Sequence, residues 1–257
     1  RLAVVLTQLD AQQSDQVMIK RGPAEGASWD KSGQPTQALL GFIKSCGVTL
    51  ADLTLSHTEK GSWYSVEIKK PGASTQVLLP ELFQQALDAL PIAKPMCWGD
   101  HKTPFVRPVH WVVFLWGKHL IPATFYGIQT GRETCGHRYH HPQPARIEAP
   151  HLYESTLMKL KVMADFSVRQ AHIAQLAKHI AMPLKAEPII PDALLEEVTA
   201  IVEWPCVLMG AFPERFLKLP LEVLIETMQK HQKCFALRHH GNLSLLSKSV
   251  IISNIES

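Results

Sequence analysis

The stretch "GRETCGHRYHHPQP" (131–144) gathers Cys135, His137, His140, His141, Arg132 and Arg138 into fourteen positions. Three chemistries suit those residue types: metal ligation, thiolate attack, or the grip of an anion. Zinc accepts cysteine and histidine, but structural zinc sites draw their ligands as two separated pairs, and C-x-H-x-x-H-H offers one crowded run with no second pair nearby. Cys135 has Arg132 and His137 to lower its pKa, but no base–nucleophile pair stands out, nor does a G-x-S-x-G elbow, a P-loop or a G-x-G-x-x-G turn. The anion reading uses more of the residues. Glycines let backbone approach a ligand, while Arg132, His137, Arg138, Tyr139 and His140 supply charge, forked donors and a stacking face. Two further basic points, Lys20-Arg21-Gly22 and Arg107, join this set. The alternative stays open that these side chains fasten loops by bonding backbone carbonyls.

Other polar groups need the same weighing. Glu196 and Glu197 point in different directions around a helix and cannot act as a pair. Glu203 is polar inside an apolar segment, ahead of Trp204-Pro205. The cations of "QKHQK" (229–233) fit a helix C-terminus, where the dipole favours them.

These residues must be positioned by elements that the hydrophobic pattern outlines. Residues 1–9 read as a strand and 20–35 as a glycine- and proline-rich loop. A helix is expected over 36–46, with Leu39, Leu40, Phe42 and Ile43 on one side and Gly47 as its C′ residue. "SWYSVEIKK" (62–70) reads as a strand, and "LLPELFQQALDALP" (78–91) as a helix with Pro80 in its first turn and Leu82, Phe83, Ala86, Leu87 and Leu90 inward. The run "FVRPVHWVVFLWG" (105–117) suits a central strand buried on both faces, with Pro108 near its start. From 151 to 202 the pattern is helical, with Asp192 as a cap and Leu194, Leu195, Val198 and Ile201 on one face. A strand "CVLMGAF" (206–212), a helix over 219–232 with Leu221, Leu224, Ile225 and Met228 inward, and a hairpin turning at Gly241-Asn242 complete the chain. The class is α+β, with mixed and antiparallel sheets against packed helices.

Composition sets outer bounds. A chain of 257 residues, 46% of them hydrophobic and 19% charged, can bury about 70–75% of its unfolded surface. A net charge of +3 permits nucleic acid without requiring it, and thirteen histidines could add to it. Five cysteines without a C-x-x-C pair argue against a disulfide framework and for a reducing cytoplasm. There is no apolar run of membrane-spanning length and no secretory leader, so no membrane partner is expected. Both ends read as cut, which makes the chain a piece of a longer polypeptide.

Taken in order, "KRGP", "FIKSCGV", "WGD", "FVRPVHWVV", "GHRYHHP", "ADFSVRQ", "EEVTAIVEWP", "ETMQKHQK" and "SNIES" resemble the β subunit of the bacterial heterotetrameric glycyl-tRNA synthetase, over nearly all 257 residues. The resemblance implies an α2β2 enzyme whose α subunit holds the class II adenylation site, with its ATP and Mg, while β serves tRNA(Gly) recognition and assembly. This portion would be the N-terminal part of β, a single region with a helical subdomain at about 151–202, similar to the B3/B4 module of the phenylalanyl-tRNA synthetase β subunit. It would bind no cofactor and carry no catalytic or metal-ligating residue of its own. Neither HIGH nor KMSKS occurs, and "GRET" is a poor match to R-x-E. The likeness to B3/B4 keeps a second function in view, hydrolysis of misacylated tRNA through pocket groups such as His137 or Glu203, and a third, a scaffold that docks α without touching RNA. Cys97 and Cys135 stand where the family pattern is commonly basic, and Cys234 where it is commonly aromatic, which weakens direct contacts at those positions.

Overall fold

The computed structural model describes residues 1–58, 61–100, 102–242 and 244–256; Ser257 of "SNIES" and Leu243 of the final hairpin lie outside the described residues. The chain divides into two compact units, a smaller one at Leu6–Leu90 and a larger one comprising Arg1–Val5 and Pro91–Ser257.

The smaller unit runs β1 (Gln16–Ala24), α1 (Glu25–Ser28), α2 (Gln37–Cys46), β2 (Leu53–Thr58), β3 (Gly61–Lys70), α3 (Thr75–Asp88). Its sheet is antiparallel in the order β1-β3-β2, with Lys20 opposite Val66 and Leu53 on the other side of Val66. Val66 and Leu39 of α2 are sealed from solvent. The helix α2 starts where the Thr36 hydroxyl accepts the Leu39 amide and stops at Gly47, whose φ of 65° is left-handed.

Several expectations need correction here. Residues 20–24 are strand, and 25–28 a helical turn, within the stretch read as loop. Because β1 is an outer strand whose register breaks between Arg21 and Ala24, Gly22-Pro23 is absorbed as an irregularity where a missing N–H is tolerated. The helix α3 begins at Thr75, so Pro80 lies inside it. Its lost bond falls on the carbonyl of exposed Gln76, within reach of water. Leu82, expected inward, is 54% exposed, while Leu87 is buried. Residues 1–9 form no strand, since β-branched content needs a pairing partner and none among the described residues supplies one; Leu2, Val4, Val5 and Leu6 stand exposed.

The larger unit opens with short strands: β4 (Val112–Val113), β5 (Leu115–Trp116), β6 (His119–Leu120), β7 (Thr124–Phe125), β8 (Ile128–Gly131), β9 (Glu133–Cys135) and β10 (Pro144–Arg146). They pair as β4-β8-β7, β5-β6 and β9-β10, and only the β4–β8 pair among them is parallel. The expected two-sided central strand at 105–117 is therefore not formed. Pro108 withholds a donor, Arg107 and His110 sit exposed, and Gly117 at φ 55° folds the apolar run back on itself as the β5–β6 hairpin.

Then follow α4 (Tyr153–Lys159), α5 (Phe166–Ala181), β11 (Ala186–Pro188), α6 (Asp192–Ile201), β12 (Cys206–Ala211), α7 (Leu221–Glu226), β13 (Phe235–His239) and β14 (Leu245–Ser253). Four of these make an antiparallel sheet in the order β11-β13-β14-β12. Alternation along β13 decides its packing: Phe235 and Leu237 meet Ile173, Ala177, Leu194 and Val198 of α5 and α6, and Ala236 joins Met228, Leu221, Leu224 and Ile225 on the opposite face. The expected helices, the β12 strand and the hairpin, with Gly241 at φ 70°, are all present. The arrangement is α+β with mixed sheets.

Details differ at helix ends. Asp192 is the first helical residue after Pro191 and makes no cap bond. Asp165 is the effective cap, accepting the Val168 amide at 2.8 Å at the start of α5. Ile201 is 62% exposed because α6 ends there and extended Val202 turns inward in its place. After α7 the chain widens at Thr227–His231 into a π-turn, closed by the Gln232 amide on the Thr227 carbonyl.

Candidate nucleic-acid interface

The turn that carries most of the candidate residues is fixed by the β9–β10 pair, where Cys135 faces Pro144 and Glu133 faces Arg146. Gly136 begins it. A Cβ there would lie 2.7 Å from the His141 carbonyl oxygen and 2.8 Å from Leu160 Cβ, so only glycine lets the turn close. His137 is fully buried. Its amide donates to the Leu160 carbonyl at 2.9 Å, its carbonyl accepts the His141 amide at 2.8 Å, and its Nδ1 accepts the amides of Tyr139 and His140, each at 3.3 Å. With Nδ1 accepting, Nε2 is the ring atom left to donate, and it is buried with no partner among the described residues. His137 is the internal pin of the turn.

The neighbours divide sharply from it. Arg138 and Tyr139 project outward, Tyr139 at 65% exposure with the guanidinium 6.0 Å from its ring centre. The His140 ring lies 4.7 Å from that of His137, and its Nε2 accepts the Glu256 amide at 3.1 Å. Arg132, at the far end of β9, donates to the carbonyls of Glu148, at 3.1 Å, and Lys118. The structure thus brings His137, Arg138, Tyr139 and His140 into one turn, while Arg132 and His137 are committed to holding backbone. Arg107 is exposed in the loop before β4. In the smaller unit Lys20 is exposed on β1, and the Arg21 guanidinium stacks 3.7 Å from the Trp63 ring centre. Among the described residues no three of His, Cys, Asp and Glu converge as metal ligands. Burial pushes the thiols of Cys206 and Cys234 up, away from reactivity.

Behind the turn lies a polar junction that the residue-by-residue reading did not assemble. Arg1 grips the Glu203 carboxylate with Nε at 2.7 Å and donates to the carbonyls of Cys135 at 2.9 Å and Gly136 at 3.1 Å. The Asn254 side-chain oxygen accepts the amides of Glu203 and Trp204 at 2.7 and 3.1 Å. Glu256 receives Lys161 and the Trp204 indole N–H, both at 2.8 Å; these hydrogen bonds, Lys161 first, hold its carboxyl below the ordinary range. Arg169 donates to the carbonyls of Met163, Ala164 and Thr199, and burial lowers its pKa. Burial raises the pKa of Tyr153, with Arg1 opposing and Glu203 adding to the shift. Glu203, flagged as polar in an apolar segment, is therefore a structural ion-pair partner. The available signal was that "GHRYHHP", "ADFSVRQ", "EEVTAIVEWP" and "SNIES" all hold polar residues at element ends, which is where these elements meet.

Comparison with known proteins supplies the family. The family model described as glycyl-tRNA synthetase beta subunit matches residues 1–257. Among curated proteins, the glycine–tRNA ligase beta subunits of Coxiella burnetii, Pseudomonas entomophila and Hahella chejuensis are 46%, 44% and 43% identical to this chain, each over its full length. The chain belongs to the glycyl-tRNA synthetase β-subunit family, the synthetase class its motifs resembled. It spans 37% of the length of those relatives.

Proposed function

We propose that this chain is the part of a glycine–tRNA ligase β subunit that docks tRNA(Gly) and supports assembly with a companion α subunit, and that adenylation of glycine, with its ATP and magnesium, takes place on α. The observation that carries the reading is the family match across the whole chain, to relatives whose printed names are those of glycine–tRNA ligase beta subunits. The geometry supports a docking role over a hydrolytic one. Both groups considered for hydrolysis are consumed by structure, His137 inside its turn and Glu203 by Arg1. Among the described residues, the candidate cations without a hydrogen bond or ion pair include Arg138 beside Tyr139, Arg107 and Lys20, while His137 holds the turn that presents Arg138 and Tyr139 and Arg132 is bonded to the Glu148 and Lys118 carbonyls. Arg21, spread over Trp63, adds a planar cationic face.

The test uses the full β subunit assembled with α and a salt titration of tRNA(Gly) binding. Arg138→Glu and Arg107→Glu should each weaken binding and lower the slope of log affinity against log salt by about 0.7–0.9 per lost phosphate contact. Affinity and slope unmoved by both changes would leave the chain as a protein-docking scaffold.

A further inference from the structure

A cleft of about 410 Å³ opens in the larger unit where the loop before β4, the strands β6 and β8, and the β9–β10 pair come together. Its chemistry-bearing walls are His110, Trp111, Gln129, Arg132, Glu133 and Arg146. Its size falls within the range of small-molecule pockets, about 300–1,000 Å³. Trp111 is 39% exposed, with the Arg1 guanidinium 5.7 Å from its ring centre. Arg132 is fixed in plane by its two carbonyl bonds, so it forms a rigid cationic wall. Arg146 is different. Its partner Glu148 is 2.9 Å away, but both side chains are more than 60% exposed, so that pair is worth little and its carboxylate can be exchanged for another anion. Glu133, opposite Arg146 in the ladder, and Gln129 supply an acceptor and a mixed donor–acceptor group.

An aromatic face, an exchangeable guanidinium and polar groups at the margin are complementary to one chemical class, an unpaired nucleotide. Its base has a π-face for the indole, its phosphate an anion for Arg146, and its edge exocyclic groups for Glu133 and Gln129. A paired base within a helix has no free face to offer. We infer that this cleft holds one unpaired nucleotide of the bound RNA, the base against Trp111 and the phosphate toward Arg146 and His110. This rests on the tRNA-docking reading and adds to it a position and a single-stranded preference.

The experiment takes the assembled ligase and a short single-stranded oligoribonucleotide carrying 2-aminopurine, whose fluorescence is quenched by stacking. Saturable quenching is expected, with a blunt RNA duplex a poor competitor. Trp111→Ala should abolish the quench and weaken binding about 5- to 150-fold, the range for loss of one base–aromatic stack. Trp111→Phe should retain most of both, which separates stacking from a folding defect, and Arg146→Gln should reduce the salt slope by about one contact. If Trp111→Ala leaves quench and affinity intact while Arg138→Glu weakens tRNA binding, the cleft inference is wrong and the docking reading stands. If neither substitution has an effect, both are wrong. An equal loss for single strand and duplex in Trp111→Ala would also overturn the cleft.

Discussion

The two halves of the larger unit are held together by different physics. Residues 163–253 are built around a four-stranded sheet with apolar cores on both faces, where Phe235, Leu237, Ile173 and Val250 are sealed from water. Residues 91–150 have strands of two to four residues. Long cationic side chains do there what extended ladders do in the other half, with Arg1 and Arg132 donating to the carbonyls of Cys135, Gly136, Glu148 and Lys118. A basic residue in a loop-rich region can thus be mortar or ligand, and its type does not say which.

Four changes would break or sharpen that contrast. Phe235→Ala, deep in the apolar half, should cost about 3–5 kcal/mol, read by chemical denaturation of the β subunit. A loss under 1 kcal/mol would show that the sheet does not carry the unit. Gly136→Ala should cost about 1–3 kcal/mol by forcing Cβ against the His141 carbonyl and Leu160, with amide exchange accelerating first at 136–142. Arg132→Lys keeps the charge and loses the fork; if the guanidinium is mortar, stability falls by about 1–2 kcal/mol while the salt slope of RNA binding stays put. A shifted slope at constant stability would make Arg132 a phosphate contact. The smallest effect is on pH. The Glu256 carboxyl is depressed by Lys161 and Trp204, so its contribution is present above the ordinary carboxylate range and is lost as pH falls through the depressed value. Glu256→Gln should flatten that acid limb of a stability-versus-pH curve, and an unchanged limb would mean the Lys161 bond contributes nothing in solution.

Where the sequence was legible, the pattern was local. The periodicity of 36–46 with its Gly47 stop, the alternation of 62–70, and the hairpin at Gly241-Asn242 all depend on neighbours a few residues away, and all are present. Where it misled, the deciding partner was distant or missing. The 105–117 run has the composition of a buried strand, but its fate rests on a turn at Gly117 and on a parallel pairing with 130–131. Residues 1–9 have the content of a strand and, among the described residues, no ladder to join. At the candidate site, composition identified the "GHRYHH" turn but could not tell which side chains face in. His137 and Arg138 are adjacent, equally polar, and opposite in fate, because a glycine close-packed at 136 rotates one into the protein and the next out of it. The Arg1–Glu203 clasp spans 202 positions, beyond any local pattern.

The outer rim of β1 has a practical consequence. Val17, Met18 and Ile19 lie bare along a strand with one side unpaired among the described residues, next to Lys20 and Arg21. Such a rim is a template on which another extended peptide can crystallise into a growing ribbon, and the two adjacent cations are the repulsive guard against it. Neutralising both would turn a soluble preparation turbid with rising concentration, long before any helix melts.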